Sequence, residues 1–391
     1  MLLIFVKITS EIFSFTNLSL IEFKQKRIAR PKMIDAHFLK VIELADASVN
    51  RYPPENLKWQ WGEALFTYAL LRLDKAMGTS TYLSYCKAYL DAHIEKGYRV
   101  DQSDTSAPAL TAYAVYQLTG EDKYKAIVDR VVNYMKTTDR VLEYMPNHLG
   151  NSPEGWLYPK SVWVDSVMMY GVFTSWYGTS AKDEEMYDFA RRQPSLFAKY
   201  LQDPIDKLFY HSYWAKFGCT YPRQKVYWGR GNGWVIAGLP LVLENLPNGS
   251  VERAEAIEVL QQTSEALLPY QCKDGFYETV FNKVGKTYKE SSATSLIASG
   301  WLQGVKEGYL PEKFKQPGIK AFKAVINCLE YKAGLLSMPL ISAPTIPTPL
   351  IPYLAYKYTP KQSDWHYGIA SLIFAGINYK AIIDDELSAG A

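Results

Sequence analysis

Residues 108–135 read PALTAYAVYQLTGEDKYKAIVDRVVNYM. From Pro108 to Leu118 nearly every position is apolar or small, the pattern of a helix buried on most sides. Pro108 suits a first helical turn, where a missing N–H costs little. Thr119-Gly120-Glu121-Asp122 reads as a turn, and Lys123 to Met135 then alternates apolar and charged positions in the manner of a surface helix. A hairpin of one buried and one amphipathic helix cannot cover its apolar face alone. Its recurrence therefore decides the fold.

The unit recurs six times, its first helices starting near Trp61, Pro108, Asp165, Gly231, Ser291 and Tyr367, a drifting period of roughly 50–75 residues. Gly62–Leu73 pairs with Tyr82–Ile94, and Asp165–Trp176 with Glu184–Phe197, the latter predicted to break at Pro194. Gly231–Leu243 pairs with Val251–Leu268, and Ser291–Val305 with Ile319–Leu329. Tyr367–Tyr379 lacks a partner downstream, and Asp35–Arg51 supplies one by closing the ring. The expectation is an all-α (α/α)6 barrel, a closed toroid of six helical hairpins in a single domain over 33–391. Residues 1–32 read as an extension, disordered or loosely packed, or upstream of a natural start at Met33.

Inner-to-outer connections are short, whereas 136–164, 198–230, 269–290 and 331–366 are long. Long loops rich in Trp, Tyr, His and Asp point to function. All enter at the N-termini of inner helices, which share one end of an alternating barrel. Converging helix dipoles and free N–H groups favour an anion there, a carboxylate above all.

Composition narrows the partners. With 48% apolar and 21% charged residues and a formal net charge of +3, the chain reads as globular, with no basic surface for nucleic acid. Met1–Leu20 is apolar but interrupted by Lys7 and Glu11, without a cleavage pattern, and no stretch reaches the length of a membrane span. Cys86, Cys219, Cys272 and Cys328 are scattered, which fits thiols of a reduced, cytoplasmic compartment. A monomer or weak homodimer is expected.

Asp165, at the end of Tyr158-Pro159-Lys160-Ser161-Val162-Trp163-Val164-Asp165, reads as a helix cap or as an acid whose proton affinity is raised by Tyr158, Trp163, Met168 and Met169. Trp228-Gly229-Arg230-Gly231-Asn232-Gly233-Trp234 is the most specific string. It is no phosphate loop, since no strand precedes it and no Lys-Ser/Thr follows. Arg230 between two indoles suits a sugar acid, with a bidentate Arg–carboxylate pair and ring stacking; the alternative is a tight helix contact. His211 lies in an aromatic string, and the five histidines show no metal-binding spacing. Asp104, Glu290 and His366 precede inner helices as caps or pocket residues, and Trp59 and Trp61 stand at the same end.

These residues resemble glycoside hydrolase family 105, the unsaturated rhamnogalacturonyl hydrolases, and the related unsaturated glucuronyl hydrolases of family 88. The likeness rests on Tyr158-Pro159 with Trp163-Val164-Asp165, on His211, and on Arg230-Gly231-Asn232-Gly233-Trp234. Asp274-Gly275-Phe276, Glu290 to Thr294, and His366-Tyr367-Gly368 extend it. The resemblance implies an (α/α)6 barrel with Asp165 as general acid and base. It implies a substrate pocket of Asp104, His211, Trp228, Arg230, Asn232, Trp234, Trp61, Met169 and His366, with no metal and no cofactor. The family pattern also has a pocket histidine before the catalytic Asp, for which this chain has His148, further upstream than in the pattern. The Pro-rich stretch from Met338 to Pro360 departs from the family.

The implied substrate is a small oligosaccharide ending in a 4,5-unsaturated uronate, as left by a lyase on pectin; the first choice is the rhamnogalacturonan disaccharide. Ordinary glycosidases need two carboxylates around an acetal. Here a vinyl ether is hydrated, so one carboxyl can give and recover the proton. Alternatives are a glucuronyl hydrolase acting on ulvan fragments, a sugar 2-epimerase using His211 and His366, a uronate lyase, and a non-catalytic sugar-binding barrel.

Overall fold

The computed structural model describes residues 35–348 and 351–389; the extension expected over 1–32 lies outside them. Helix formation follows the apolar spacing. Asp35 caps α1 (Ala36–Arg51), its carboxylate accepting from the backbone N–H groups of His37 and Phe38. Then come α2 (Trp61–Met77), α3 (Leu83–Lys96), a four-residue α4 (Ser103–Ser106), α5 (Ala109–Thr119) and α6 (Asp122–Thr137). Gly120 adopts φ 70°, the left-handed turn that ends α5. In α6 the buried residues Tyr124, Ile127, Val128, Val131, Val132 and Met135 form one stripe.

The chain continues through α7 (Pro153–Leu157), α8 (Val172–Ser180), α9 (Glu184–Leu201), α10 (Gly229–Leu243), α11 (Val251–Leu267), α12 (Ser291–Lys306), α13 (Lys315–Cys328), α14 (Pro352–Tyr358) and α15 (His366–Ala389). Every residue of α10 is buried, as are most of α12. Six inner helices close a ring in which α2 touches α5, α5 touches α8, and α10, α12 and α15 lead back to α2. Outside it, α3, α6, α9, α11 and α13 each pack on their own inner helix, and α1 packs on α15, closing the barrel as the repeat requires. Among the described residues no helix is long and apolar enough to cross a membrane, and all four cysteines are free.

Two helices differ from expectation. α9 passes through Pro194 without breaking; the proline is buried with Leu196 and Phe197, and that packing offsets the lost backbone hydrogen bond. The third inner helix opens as a π-turn over Val167–Gly171, a feature common beside functional sites. The long loops also carry short strands that the helical periodicity does not reveal. β1 (Arg140–Leu142) pairs with β2 (Met145–Pro146), and β3 (Ser161–Trp163), β4 (Ser212–Trp214) and β5 (Cys219–Tyr221) form an antiparallel sheet. β6 (Glu330–Lys332) pairs with β7 (Leu335–Ser337), and β8 (Ile341–Ser342) with β9 (Lys361–Gln362).

Candidate active site

A ladder of backbone hydrogen bonds aligns four loop segments across the N-terminal mouth of the barrel. Ser103 N–H donates to the His148 carbonyl (2.9 Å), and His148 N–H donates to that of Ser161 (2.8 Å) at the start of β3. β3 pairs with β4 in the register Trp163↔Ser212, and Val164 N–H donates to the His211 carbonyl (2.9 Å). Asp104, His148, Asp165 and His211, from four separate segments, thus come into one row.

His211 Nε2 and Asp165 Oδ2 face each other at 3.5 Å, and among the described residues neither atom has another polar partner. His148 Nε2 stands 3.6 Å from Asp104 Oδ1, while its Nδ1 meets Ser166 Oγ at 2.8 Å. Trp163 lies between the two imidazoles, stacked on His148 at 4.2 Å and edge-on to His211 at 5.5 Å. Burial pushes His148 down to about 4, and burial likewise lowers His211, so both rings are neutral at neutral pH.

The two carboxyls are driven apart. Asp104 keeps 22% of its side-chain surface open, yet the surrounding protein desolvates it, and the charge of Asp165 adds to the effect. Its carboxyl is pushed up to about 8. Burial would raise Asp165 too, but His211 beside it, with His148 and Arg230, more than offsets this and holds it below the usual carboxylate range. Over the neutral range the pair therefore holds one proton, resident on Asp104 at rest. Such a divergence is what acid–base work between two carboxyls needs.

The glycine-rich string serves packing first. A Cβ on Gly231 would stand 2.8 Å from Trp228 Cε3 and 2.9 Å from Val164 Cγ1, so the start of α10 can press against the segment that carries Asp165 only without a side chain there. Trp228 stacks on His211 at 4.1 Å. The Arg230 guanidinium lies over Trp228 and Tyr367, at 4.6 and 4.9 Å from the ring centroids. Its Nη1 donates to the Ser342 carbonyl (3.0 Å), and its Nη2 to the Ala343 carbonyl (3.1 Å) and Thr345 Oγ1 (2.8 Å). Among the described residues only its Nε lacks a partner. The bidentate carboxylate pair read from the sequence is thus not available in this arrangement, because the Pro-rich segment occupies both terminal nitrogens.

Other expected pocket residues are structural. Asn232 clamps the His211 segment to α10: its Oδ1 accepts from Phe209 N–H (2.8 Å), and its Nδ2 donates to the carbonyls of Phe209 and Trp228. The Met169 side chain is core, and its N–H donates to the Asp165 carbonyl. Trp234 is fully buried and edge-on to Trp61 at 5.9 Å. Trp61 joins the site only by stacking on Tyr367 at 4.5 Å. His366 lies 3.4 Å from Glu63 of α2 and against Tyr52 at 4.7 Å, contacts that do not include His211. Glu290 is a cap, accepting from Ser292 and Ala293 of α12 and from Ser342 N–H.

Sequence reasoning misses Tyr356, Tyr367 and Ser166. Tyr367 adjoins the expected His366 and could have been weighed with it. Tyr356 lies in a stretch without periodicity, where no local signal marks it.

A cavity of about 690 Å³ opens at the opposite mouth, lined by Arg72, Lys75, Trp176 and Leu241 among others. Its carboxylates are spent: Asp74 accepts from Thr79, Thr81 and Tyr82, and Glu244 from Arg72 and Gln303. It offers no acid–base pair. Among the described residues no group of three or more His, Cys, Asp or Glu could hold a metal ion.

Residues 38–382 match the sequence profile of Glycosyl Hydrolase Family 88. The chain is 25% identical over 296 residues to the unsaturated rhamnogalacturonyl hydrolase YesR of Bacillus subtilis, covering 74% of this chain and 82% of that one. It is 35% identical over 91 residues to an unsaturated 3S-rhamnoglycuronyl hydrolase of an Alteromonas species, covering 23% of this chain and 22% of that one. A crystal structure from Klebsiella pneumoniae, described as a possible member of family 105, superimposes with a TM-score of 0.80 at 20% identity, over 94% of this chain and 100% of that one.

Proposed function

The chain belongs to glycosyl hydrolase family 88, and from that membership we propose that this glycosidase releases 4,5-unsaturated uronic acid from the non-reducing end of lyase-generated oligosaccharides. The observation that carries the proposal is the placement of two carboxyls at the N-terminal mouth of the barrel, Asp104 facing His148 at 3.6 Å and Asp165 facing His211 at 3.5 Å; the raised Asp104 and lowered Asp165 carboxyls agree with it. A proton from the pair goes to C4 of the vinyl ether, and the cation develops at C5. Water adds to C5 as the carboxylate takes its proton, so the pair ends as it began. The resulting hemiketal opens and frees the neighbouring sugar. We assign delivery to Asp165, the carboxyl against His211, with Asp104 as the proton's resting place. The arriving substrate carboxylate raises the proton affinity of Asp165 and draws the proton across.

Rhamnose is the proposed neighbouring sugar, since the names of both relatives carry it. The pectin-derived rhamnogalacturonan disaccharide comes first, because that relative matches most of the chain; the ulvan-type fragment is second. Four unpaired cysteines support a cytoplasmic site of action. Incubation with lyase digests of rhamnogalacturonan, ulvan and glycosaminoglycan, following loss of the C=C ultraviolet absorbance, tests the proposal. Turnover of rhamnogalacturonan fragments is expected, and no loss of absorbance with any digest would refute it.

A further inference from the structure

The segments 338–348 and 351–364 run over the active mouth as a strap, and one of their side chains reaches the reacting groups. Tyr356, on α14, is fully buried, and its hydroxyl lies 2.8 Å from His211 Nδ1. Among the described residues each is the other's only polar partner at that atom. A buried phenol needs such a partner, but the pairing also fixes the direction of the hydrogen bond. His211 Nε2 faces Asp165, a carboxylate that can only accept, so the ring's proton belongs on Nε2. Nδ1 is then a lone pair, and Tyr356 must donate to it.

We propose that Tyr356 is a positioning residue for the hydration reaction: its O–H fixes His211 in the Nε2–H form, and that N–H holds and orients Asp165. This rests on the function proposed above. The surrounding groups agree. Burial pushes the Tyr356 hydroxyl well above its usual range, with Tyr158, Asp165 and Tyr221 adding to the effect, so it keeps the proton it donates. His211 is faced by Asp165 and Arg230, stacked by Trp228 and edged by Trp163. Among the described residues no group other than Tyr356 accepts or donates at Nδ1. Asp165 is faced by His211, His148 and Arg230 and by Asp104, none of which can replace the N–H of His211 at Oδ2. The Asp165–His211 contact is long at 3.5 Å, as contacts that tighten in the reacting complex often are.

The strap is anchored independently of Tyr356. Ser291 N–H donates to the Leu340 carbonyl, Ser342 N–H to Glu290, and Tyr158 O–H to the Pro347 carbonyl. Removing one hydroxyl should therefore leave the fold in place. With Phe at 356 the neutral ring is free to carry its proton on Nδ1 and turn a lone pair on Asp165. That weakens the ionised form of Asp165 and misplaces it.

The test compares Tyr356→Phe with Tyr353→Phe, a neighbour packed on the same cluster that touches none of the reacting groups. For Tyr356→Phe on an unsaturated uronyl disaccharide, kcat should fall about tenfold or more with KM little changed, and the acid limb of the kcat profile should move to higher pH. Tyr353→Phe should behave as wild type. Nitrogen-15 NMR of labelled histidine, assigned by loss of one signal in His211→Gln, reads the tautomer without any substrate. His211 should be Nε2–H in the wild type and shift toward Nδ1–H in Tyr356→Phe. A wild-type Nδ1–H form, or a Phe variant with unchanged tautomer and pH profile, overturns the proposal. If Tyr356→Phe does not fold, the wild-type tautomer alone decides. A chain inactive on every digest would refute the function but leave the tautomer readout standing.

Discussion

Arg230→Lys separates two roles for the one buried guanidinium of the site. In the structure its three hydrogen bonds end on Ser342, Ala343 and Thr345, all in the strap. Hydrogen bonds to a charged group are worth roughly 1.5–3 kcal/mol each. A lysine ammonium can replace one of the three, and water admitted to the gap recovers part of the rest, so the local loss is roughly 2–4 kcal/mol. At about 1.4 kcal/mol per decade, strap opening should rise roughly 30-fold to several hundred-fold. The Glu290, Tyr158 and Ser291 anchors remain, so the barrel itself should hold. Amide exchange mass spectrometry on peptides spanning 338–348 and 351–364 reads the change, with α12 as internal control. Protection there should drop while α12 stays as in wild type, and kcat should fall because Tyr356 travels with the strap. Wild-type exchange in both peptides, with loss of the preference for a free uronate over its methyl ester, would place Arg230 on the substrate and refute the anchoring argument.

Asp165→Asn should fold normally and lose turnover by about 10²–10⁴-fold or more; a variant keeping more than about a tenth of the rate would remove Asp165 from proton transfer. The Asp104 carboxyl, raised to about 8, predicts that kcat/KM falls as pH rises through about 8, when the pair loses its shared proton. Because that carboxyl is raised above its unfolded value, its contribution to stability is full below about 4 and lost as pH climbs to about 8. The thermal midpoint should accordingly decline over that window in wild type and less so in Asp104→Asn, and identical slopes would contradict the assignment. Gly231→Ala forces a methyl against Trp228 and Val164 and should cost about 1–3 kcal/mol by overpacking, lowering the thermal midpoint and turnover together. An alanine variant as stable and as active as wild type would show that the close approach is not needed.

What could be read from the sequence divides along the range of the interactions involved. The twelve barrel helices follow from spacings of three and four residues, local to each segment, and the closing role of Asp35–Arg51 follows from counting them. Asp165 and His211 stand out because Asp165 opens an inner unit behind Tyr158 and Trp163, and His211 sits in an aromatic string within a long loop. Such strings mislead where composition is taken for contact. Asn232 looks like a sugar ligand beside Arg230 and Trp234, yet its amide is spent on the backbone of Phe209 and Trp228. The glycines around Arg230 admit Val164 and Trp228, with no ligand needed to account for them.

The strap marks the limit of sequence reading more sharply. Its residues have no period and no motif, and their partners lie far away in sequence: Ser342 meets Arg230 and Glu290, and Tyr356 meets His211, 145 residues upstream. A buried hydrogen bond of that kind costs free energy when one member is missing, but neither segment carries the other's imprint in its own composition. Arg230 was therefore legible as a charge that needs partners and illegible as to which. A carboxylate from solution and a pair of backbone carbonyls make the same demand on residue type at that position. The second answer makes the guanidinium the tie that holds the segment bearing Tyr356 over the carboxyl pair. The Pro-rich strap and the reacting groups then form one connected unit, so a change in the strap far from Asp165 should register in the acid limb of the rate profile before it registers in the stability of the barrel.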